Sequence, residues 1–274
     1  MTQPTSTTCR QTFATPSEPL PQVDAICPTH GPYVSRIITI PQPIEGAEPF
    51  SIRSPCPACA AEDRAERDAR RVAAEARDRQ RKIDTLTGSA GIPARFALRD
   101  FDGYVATEQG QRIALAACRA FAGNWSERLR TGASLVLTGK PGTGKTHLAC
   151  AIANTVIREH LATALFGTVA TILRGIKATY NRDSQRTEQD AINGLLEPDL
   201  LILDEVGVQI GSEHEILLMF ELLNARYQEL RPTILISNLN LVELEKFLGH
   251  RIMDRYRECG AVLGFDWDSH RGAR

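Results

Sequence analysis

Apolar runs of two kinds divide this chain. Leu135-Val-Leu137, Leu200-Leu-Ile-Leu203 and Thr233-Ile-Leu-Ile-Ser237 are short and continuous, the pattern of strands buried on both faces of a parallel sheet. The first runs through a glycine-rich turn into His147-Leu-Ala-Cys-Ala-Ile-Ala-Asn154, an apolar stretch of helical type. Helices are also predicted over Glu108–Leu129 and, as a short piece, around Arg251–Arg255. Upstream, Tyr33-Val-Ser-Arg-Ile-Ile-Thr-Ile40 has β-branched strand character, ended by Pro41 and Pro43.

Ala60 to Lys82 is different. It is full of Arg, Glu, Asp and Ala and has neither glycine nor proline. Asp63→Arg67, Glu66→Arg70, Glu75→Arg79 and Asp78→Lys82 have the i,i+4 orientation that supports a solvated helix. Its apolar content is too thin for burial or for a coiled-coil seam. Thr87-Gly-Ser-Ala-Gly-Ile-Pro93 then reads as a hinge, and a domain boundary is expected there.

At 274 residues with 42% hydrophobic content, one main domain with a smaller appendage is expected. No apolar run approaches a membrane span, and the N-terminus lacks the features of a secretory signal, so the expectation is a cytoplasmic protein without a membrane partner. Met1–Gln22, rich in Thr, Ser, Pro and Gln, is expected to be a disordered tail, and Cys9 within it is given no role. A net charge of −1 means that any affinity for nucleic acid comes from a local patch.

Seven cysteines in a cytoplasmic chain point toward metal rather than disulfides. Cys27-Pro-Thr-His30 and Cys56-Pro-Ala-Cys59 form two x₂-spaced pairs, a ligand set for one tetrahedral Zn²⁺. Four protein ligands leave no open position, so the expected metal is structural.

Gly139-Lys140-Pro141-Gly142-Thr143-Gly144-Lys145-Thr146 lies between the first strand and its helix, leading into His147. In that context it is a phosphate-binding loop, and the protein is expected to bind a nucleoside triphosphate. Glycines let backbone N–H groups approach phosphate oxygens, and the helix N-terminus adds its dipole. Lys145 is expected on the β- and γ-phosphates and the Thr146 hydroxyl on Mg²⁺. Asp204 and Glu205 end the second strand, at the C-terminal edge where such sheets bind ligands. Asp204 is the expected Mg²⁺ partner and Glu205 the general base, which together specify ATP hydrolysis. Asn238, ending the third strand, is either a γ-phosphate or water contact or a turn residue. Phe101 and Tyr104 are candidates for the base pocket, though packing accounts for them equally well. Arg251 and Arg255 fit either a γ-phosphate contact from an adjacent subunit or a solvated helix face.

Residues from about 96 to 274 resemble the DnaC-type replicative helicase loaders, a branch of the AAA+ ATPases. The resemblance rests on Gly139–Lys145, Thr168-Val-Ala-Thr-Ile172, Leu203-Asp-Glu-Val-Gly-Val-Gln209, Leu248-Gly-His-Arg-Ile-Met-Asp-Arg255 and Asp266-Trp-Asp-Ser269. It implies an α/β AAA+ fold with a five-stranded parallel sheet flanked by helices and no C-terminal lid. It implies Asn238 as the first sensor and Arg255 as a finger acting in trans, with Arg251 as a secondary candidate. Lys177 and Tyr180, and by position Ser212 and His214, are implied to contact single-stranded DNA. His214 stands where a tyrosine is expected. A cation and a ring suit phosphate and base stacking. The implied partners are a hexameric replicative helicase, single-stranded DNA and further copies of the chain in a spiral. The zinc-bearing front end resembles that of phage and prophage relatives. The expected layout is a tail over 1–22, a zinc module over 23–60, a charged helix and hinge over 61–90 and the ATPase over 91–274. The alternative is an IstB-type transposition helper acting on duplex DNA.

Overall fold

The computed structural model describes residues 20–40, 50–181, 183–208 and 213–270. The expected tail lies outside them except for its last three residues, of which Gln22 already opens the first strand. The chain forms two compact units, residues 1–77 and 78–274.

In the first unit, β1 (Gln22–Cys27), β2 (Gly31–Ile40) and β3 (Phe50–Arg53) make an antiparallel sheet in sequential order. Cys27 pairs with Gly31, so Pro28-Thr-His30 is a tight hairpin tip, closed by Gly31 at φ 80°. Alternation then sorts the side chains. Ser35 is buried on one face, donating to the Ser54 carbonyl at 2.8 Å, while Ile26, Val34, Ile38 and Ile52 are exposed on the other. So little apolar surface is enclosed that a sheet this small needs a further staple.

Helix α1 (Pro57–Ser89) crosses from one unit to the other, and none of its residues is fully buried. Of the four expected i,i+4 ion pairs only Glu66–Arg70 forms, at 2.5 Å. Arg79 instead donates to the Arg158 and Glu159 carbonyls, at 2.7 and 3.1 Å, and Arg81 rather than Lys82 takes Asp78. Ile83 and Leu86 pack on the main core, so the helix's last turns are docked rather than solvated. The helix ends at Ser89, within the expected hinge Thr87–Pro93, but that segment is anchored. The helix runs through Gly88, Ala90 is fully buried, and its carbonyl accepts the Phe166 N–H at 2.8 Å. The units divide at Arg77, inside the helix, rather than at Thr87–Pro93.

The second unit continues with α2 (Gln109–Gly123), α3 (Trp125–Thr131), β4 (Ser134–Gly139), α4 (Lys145–His160), β5 (Ala164–Thr168), α5 (Val169–Ala178), α6 (Glu188–Leu196) and β6 (Leu200–Asp204). It closes with α7 (Glu213–Gln228), β7 (Thr233–Ser237), α8 (Leu241–Leu248), α9 (His250–Glu258) and β8 (Gly260–Phe265). The single helix expected over 108–129 breaks at Asn124. The five strands are parallel in the order β5-β6-β7-β4-β8, the architecture the sequence led us to expect. One face carries α2 and α4, with Leu148, Ile152 and Val156 in its core, and the other carries α5, α7 and α9. Reciprocal side-chain and backbone bonds at Thr187/Asp190 and Asn240/Glu243 start α6 and α8. Among the described residues no helix is long and apolar enough to cross a membrane.

Arg226 on α7 is the largest polar investment in this core. Fully buried, it donates to the Leu195, Leu196, Pro198 and Pro232 carbonyls and to Thr233 Oγ1, at 2.7–3.2 Å. Burial pulls its guanidinium down to about 10, which leaves it charged at neutral pH. Arg226→Met keeps the apolar stem but strands four carbonyls. A loss of about 3 kcal/mol or more is expected, read as a lowered urea midpoint of the second unit.

Candidate functional site

The loop between β4 and α4 has positive φ at Gly139 (125°), Gly142 (79°) and Gly144 (96°). Close approach forbids side chains as well. A Cβ on Gly139 would lie 2.5 Å from the Phe265 carbonyl oxygen, and one on Gly144 would lie 2.5 Å from the Tyr104 ring. The C-terminal segment braces the loop. Trp267 Nε1 and Tyr104 Oη both donate to the Thr143 carbonyl, at 3.0 and 3.1 Å. The Lys140 N–H reaches the Phe265 carbonyl and the His270 N–H the Gly142 carbonyl. Trp267 in the Asp-Trp-Asp-Ser stretch is thus a prop for the phosphate loop.

This loop borders a cavity of about 760 Å³, lined by Pro141, Gly142, Gly144, Lys145, Thr146 and His147 on one side. Asp204, Glu205 and Asn238 line it from the ends of β6 and β7, and Pro93, Arg95, Phe96 and Arg99 form a further wall. Phe101 and Tyr104 do not line it; both are buried, Tyr104 beneath the loop and Phe101 in the core. The wall at 93–99 follows no regular pattern along the sequence. Asn154 on α4 holds it from behind, donating to the Phe96 and Arg99 carbonyls at 3.2 and 2.8 Å.

The charged groups converge. Lys145 Nζ donates to the Gly139 and Lys140 carbonyls, both at 2.7 Å, inside the loop. Thr146 Oγ1 donates to Asp204 Oδ2 at 2.9 Å, and the Glu205 N–H donates to Asp204 Oδ1 at 2.7 Å. Burial still pushes the Asp204 carboxyl up, against the opposing pull of Thr146, the Glu205 N–H and Lys145. A hydroxyl beside a half-buried carboxylate is a donor set that fits Mg²⁺. Glu205 sits at φ 61°, a left-handed conformation rare for a non-glycine residue, and its side chain is exposed at the cavity. His147 Nε2 is 2.8 Å from the Asp100 carbonyl oxygen, and its ring meets Tyr104 edge-on.

A family of IstB-like ATP-binding proteins matches residues 61–269. The chain belongs to this family. It is an AAA+ ATPase, and the zinc-ligand candidates precede the matched span. The replicative helicase loader DnaC of Buchnera aphidicola is 36% identical over 191 residues, covering 69% of this chain and 76% of that protein. DnaC of Escherichia coli K12 is 34% identical over 203 residues, covering 74% and 81%. A crystal structure of the DnaC helicase loader superposes with a TM-score of 0.57 at 23% identity, covering 64% of this chain and all of that one, which establishes a shared fold.

Cys27, His30, Cys56 and Cys59 bring their ligand atoms within 4.8 Å of one another. Cys27 Sγ is 3.5 Å from Cys59 Sγ, and His30 Nδ1 lies 3.3–3.8 Å from the three sulfurs. Thiolates on one tetrahedral zinc stand about 3.8 Å apart, given Zn–S bonds of about 2.3 Å, so the four residues fit the metal. The hairpin tip supplies Cys27 and His30, and the first turn of α1 supplies Cys59 just after Cys56. The His30 and Thr29 backbone N–H groups pull the Cys27 thiol down to about 6, favouring the thiolate. Glu62, unmarked by the sequence, places Oε1 3.1 Å from His30 Nε2, the outer-sphere carboxylate that orients a ligating imidazole.

Of the DNA candidates, Ser212 lies outside the described residues. The other three gather where α5 and the start of α7 meet. Tyr180 Oη bonds Glu188 and lies 3.0 Å from His214 Nε2, with the two rings 6.4 Å apart. Lys177 Nζ is 2.6 Å from Glu215 Oε1, so its charge is shared with a carboxylate. Arg255 does not line the cavity; its Nη1 donates to Asn224 Oδ1, on the face shared by α7 and α9.

Proposed function

We propose that this protein is an ATP-dependent loader that delivers a hexameric replicative helicase to DNA. The observation that carries this reading is the match to DnaC loaders at 34–36% identity across 76–81% of their length. ATP occupies the cavity with its phosphates on the Gly139–Thr146 loop and Lys145, and its base toward Phe96 and Pro93. Thr146 and Asp204 would hold Mg²⁺, which would shield the phosphate charge. Glu205 takes a proton from the attacking water, Asn238 orients that water or the γ-phosphate, and Arg255 of a neighbouring subunit stabilises the charge that develops. Copies of the chain assemble in a spiral on single-stranded DNA through Lys177, Tyr180, His214 and Ser212. The zinc-held module and α1 engage the helicase, and hydrolysis releases the loader.

The test is co-purification of the full-length protein with the host's replicative helicase in ATP and in ADP, with DNA affinity measured by anisotropy. Capture that differs between nucleotides, with single strands preferred to duplex, is the expected result. No capture in either nucleotide, with duplex preferred, would replace this reading by the transposition helper.

A further inference from the structure

The last turn of α9 carries two arginines that the fold treats differently. Arg257 Nη2 is 2.7 Å from Glu245 Oε2, an ion pair that cancels its charge. Arg255 is held without being neutralised. Its Nη1 donates to the Asn224 side-chain carbonyl, and its guanidinium carbon stands 5.1 Å from the centroid of the Tyr227 ring. Among the described residues no carboxylate forms an ion pair with it. An amide oxygen and a ring face orient a guanidinium while leaving its full positive charge available to a phosphate.

The platform itself is fixed. Asn224 and Tyr227 are three residues apart on α7 and so share a face. Tyr227 Oη donates to Glu258 Oε2 at 2.9 Å, which sets the ring. Arg226, between them, is buried with five hydrogen bonds to the start of β7 and the α6 end. On α9, buried Ile252, Met253 and Tyr256 lock the backbone that carries Arg255.

We propose that Asn224 and Tyr227 are positioning residues that hold Arg255 oriented and charged for the nucleotide of an adjacent subunit. This rests on the trans role of Arg255 given above. Freezing a long, flexible side chain before the sites meet removes an entropic cost that a solvated arginine meets at each turnover. Losing the clamp slows turnover and leaves the subunit's own ATP binding untouched.

The experiment mixes two full-length proteins, each slow alone. Glu205→Gln subunits keep ATP and donate Arg255; Arg255→Ala subunits carry an intact nucleotide site. Their mixture, with ATP and a thymidine homopolymer, is expected to hydrolyse ATP faster than either protein alone. Asn224→Ala or Tyr227→Leu placed in the Glu205→Gln subunits is expected to lower this rescued rate about tenfold or more. The same changes in the Arg255→Ala subunits leave it unaltered, and fluorescent-ATP affinity is unchanged in both. Equal loss in both placements, the mark of a structural role, or loss in neither, overturns the clamp. Absence of any rescue by the parent pair removes the trans role of Arg255 and the clamp with it.

Discussion

Glu205→Gln is expected to bind ATP as the parent does and to hydrolyse it about 10² to 10⁴ times more slowly, the contribution of a positioned general base. The substitution preserves shape and the backbone at φ 61°, and the Glu205 N–H remains on Asp204 Oδ1. What it removes is a carboxylate exposed at the cavity, next to a carboxylate already committed to the Thr146 hydroxyl. The two acids therefore separate by environment. Asp204 is half-buried with each oxygen bonded within the chain and is the acid placed to hold Mg²⁺, whereas Glu205 is exposed to the cavity. Fluorescent-nucleotide titration with single-turnover hydrolysis checks the claim. Parallel loss of affinity and rate would mean that Glu205 serves the loop's conformation rather than the reaction.

Cys56→Ser/Cys59→Ser is expected to unfold the first unit while leaving the second intact. A structural zinc supplies about 10–16 kcal/mol of apparent folding free energy at neutral pH. The three-stranded sheet has little else, since the outward face exposes Ile26, Val34, Ile38 and Ile52. The second unit keeps its two apolar clusters, one on each face of its sheet. Metal analysis should find about one zinc per parent chain and none in the variant. Hydrogen exchange should show protection lost across β1 and β2 and retained in β4, β6 and β7. A parent protein that is metal-free with a protected β1–β2 hairpin would overturn the zinc assignment.

The family assignment and the local chemistry were legible in the sequence because each depended on spacing along one segment. An eight-residue glycine loop between an apolar run and a helix, two acids closing a buried strand, and two x₂ pairs of metal ligands are local patterns, and local geometry carries them. The continuous apolar runs likewise marked β4, β6 and β7 as strands covered on both faces.

Tertiary structure decided what depends on groups distant in the chain. Tyr104 fitted a base pocket and simple packing equally well along the sequence; in the fold it packs beneath Gly144 and donates to the Thr143 carbonyl. The cavity wall at Pro93–Arg99 follows no periodicity; it exists because Asn154, more than fifty residues later, holds two of its carbonyls. Charge pairing along α1 shifted once the α4 terminus offered Arg79 two carbonyls, which i,i+4 spacing does not register. Arg226, Asn224 and Tyr227 are unremarkable letters in a helical stretch. Their roles arise where α7 packs beside the β6 and β7 entries and α9, since a buried cation is defined by the carbonyls around it and a held arginine by the partners that leave it charged.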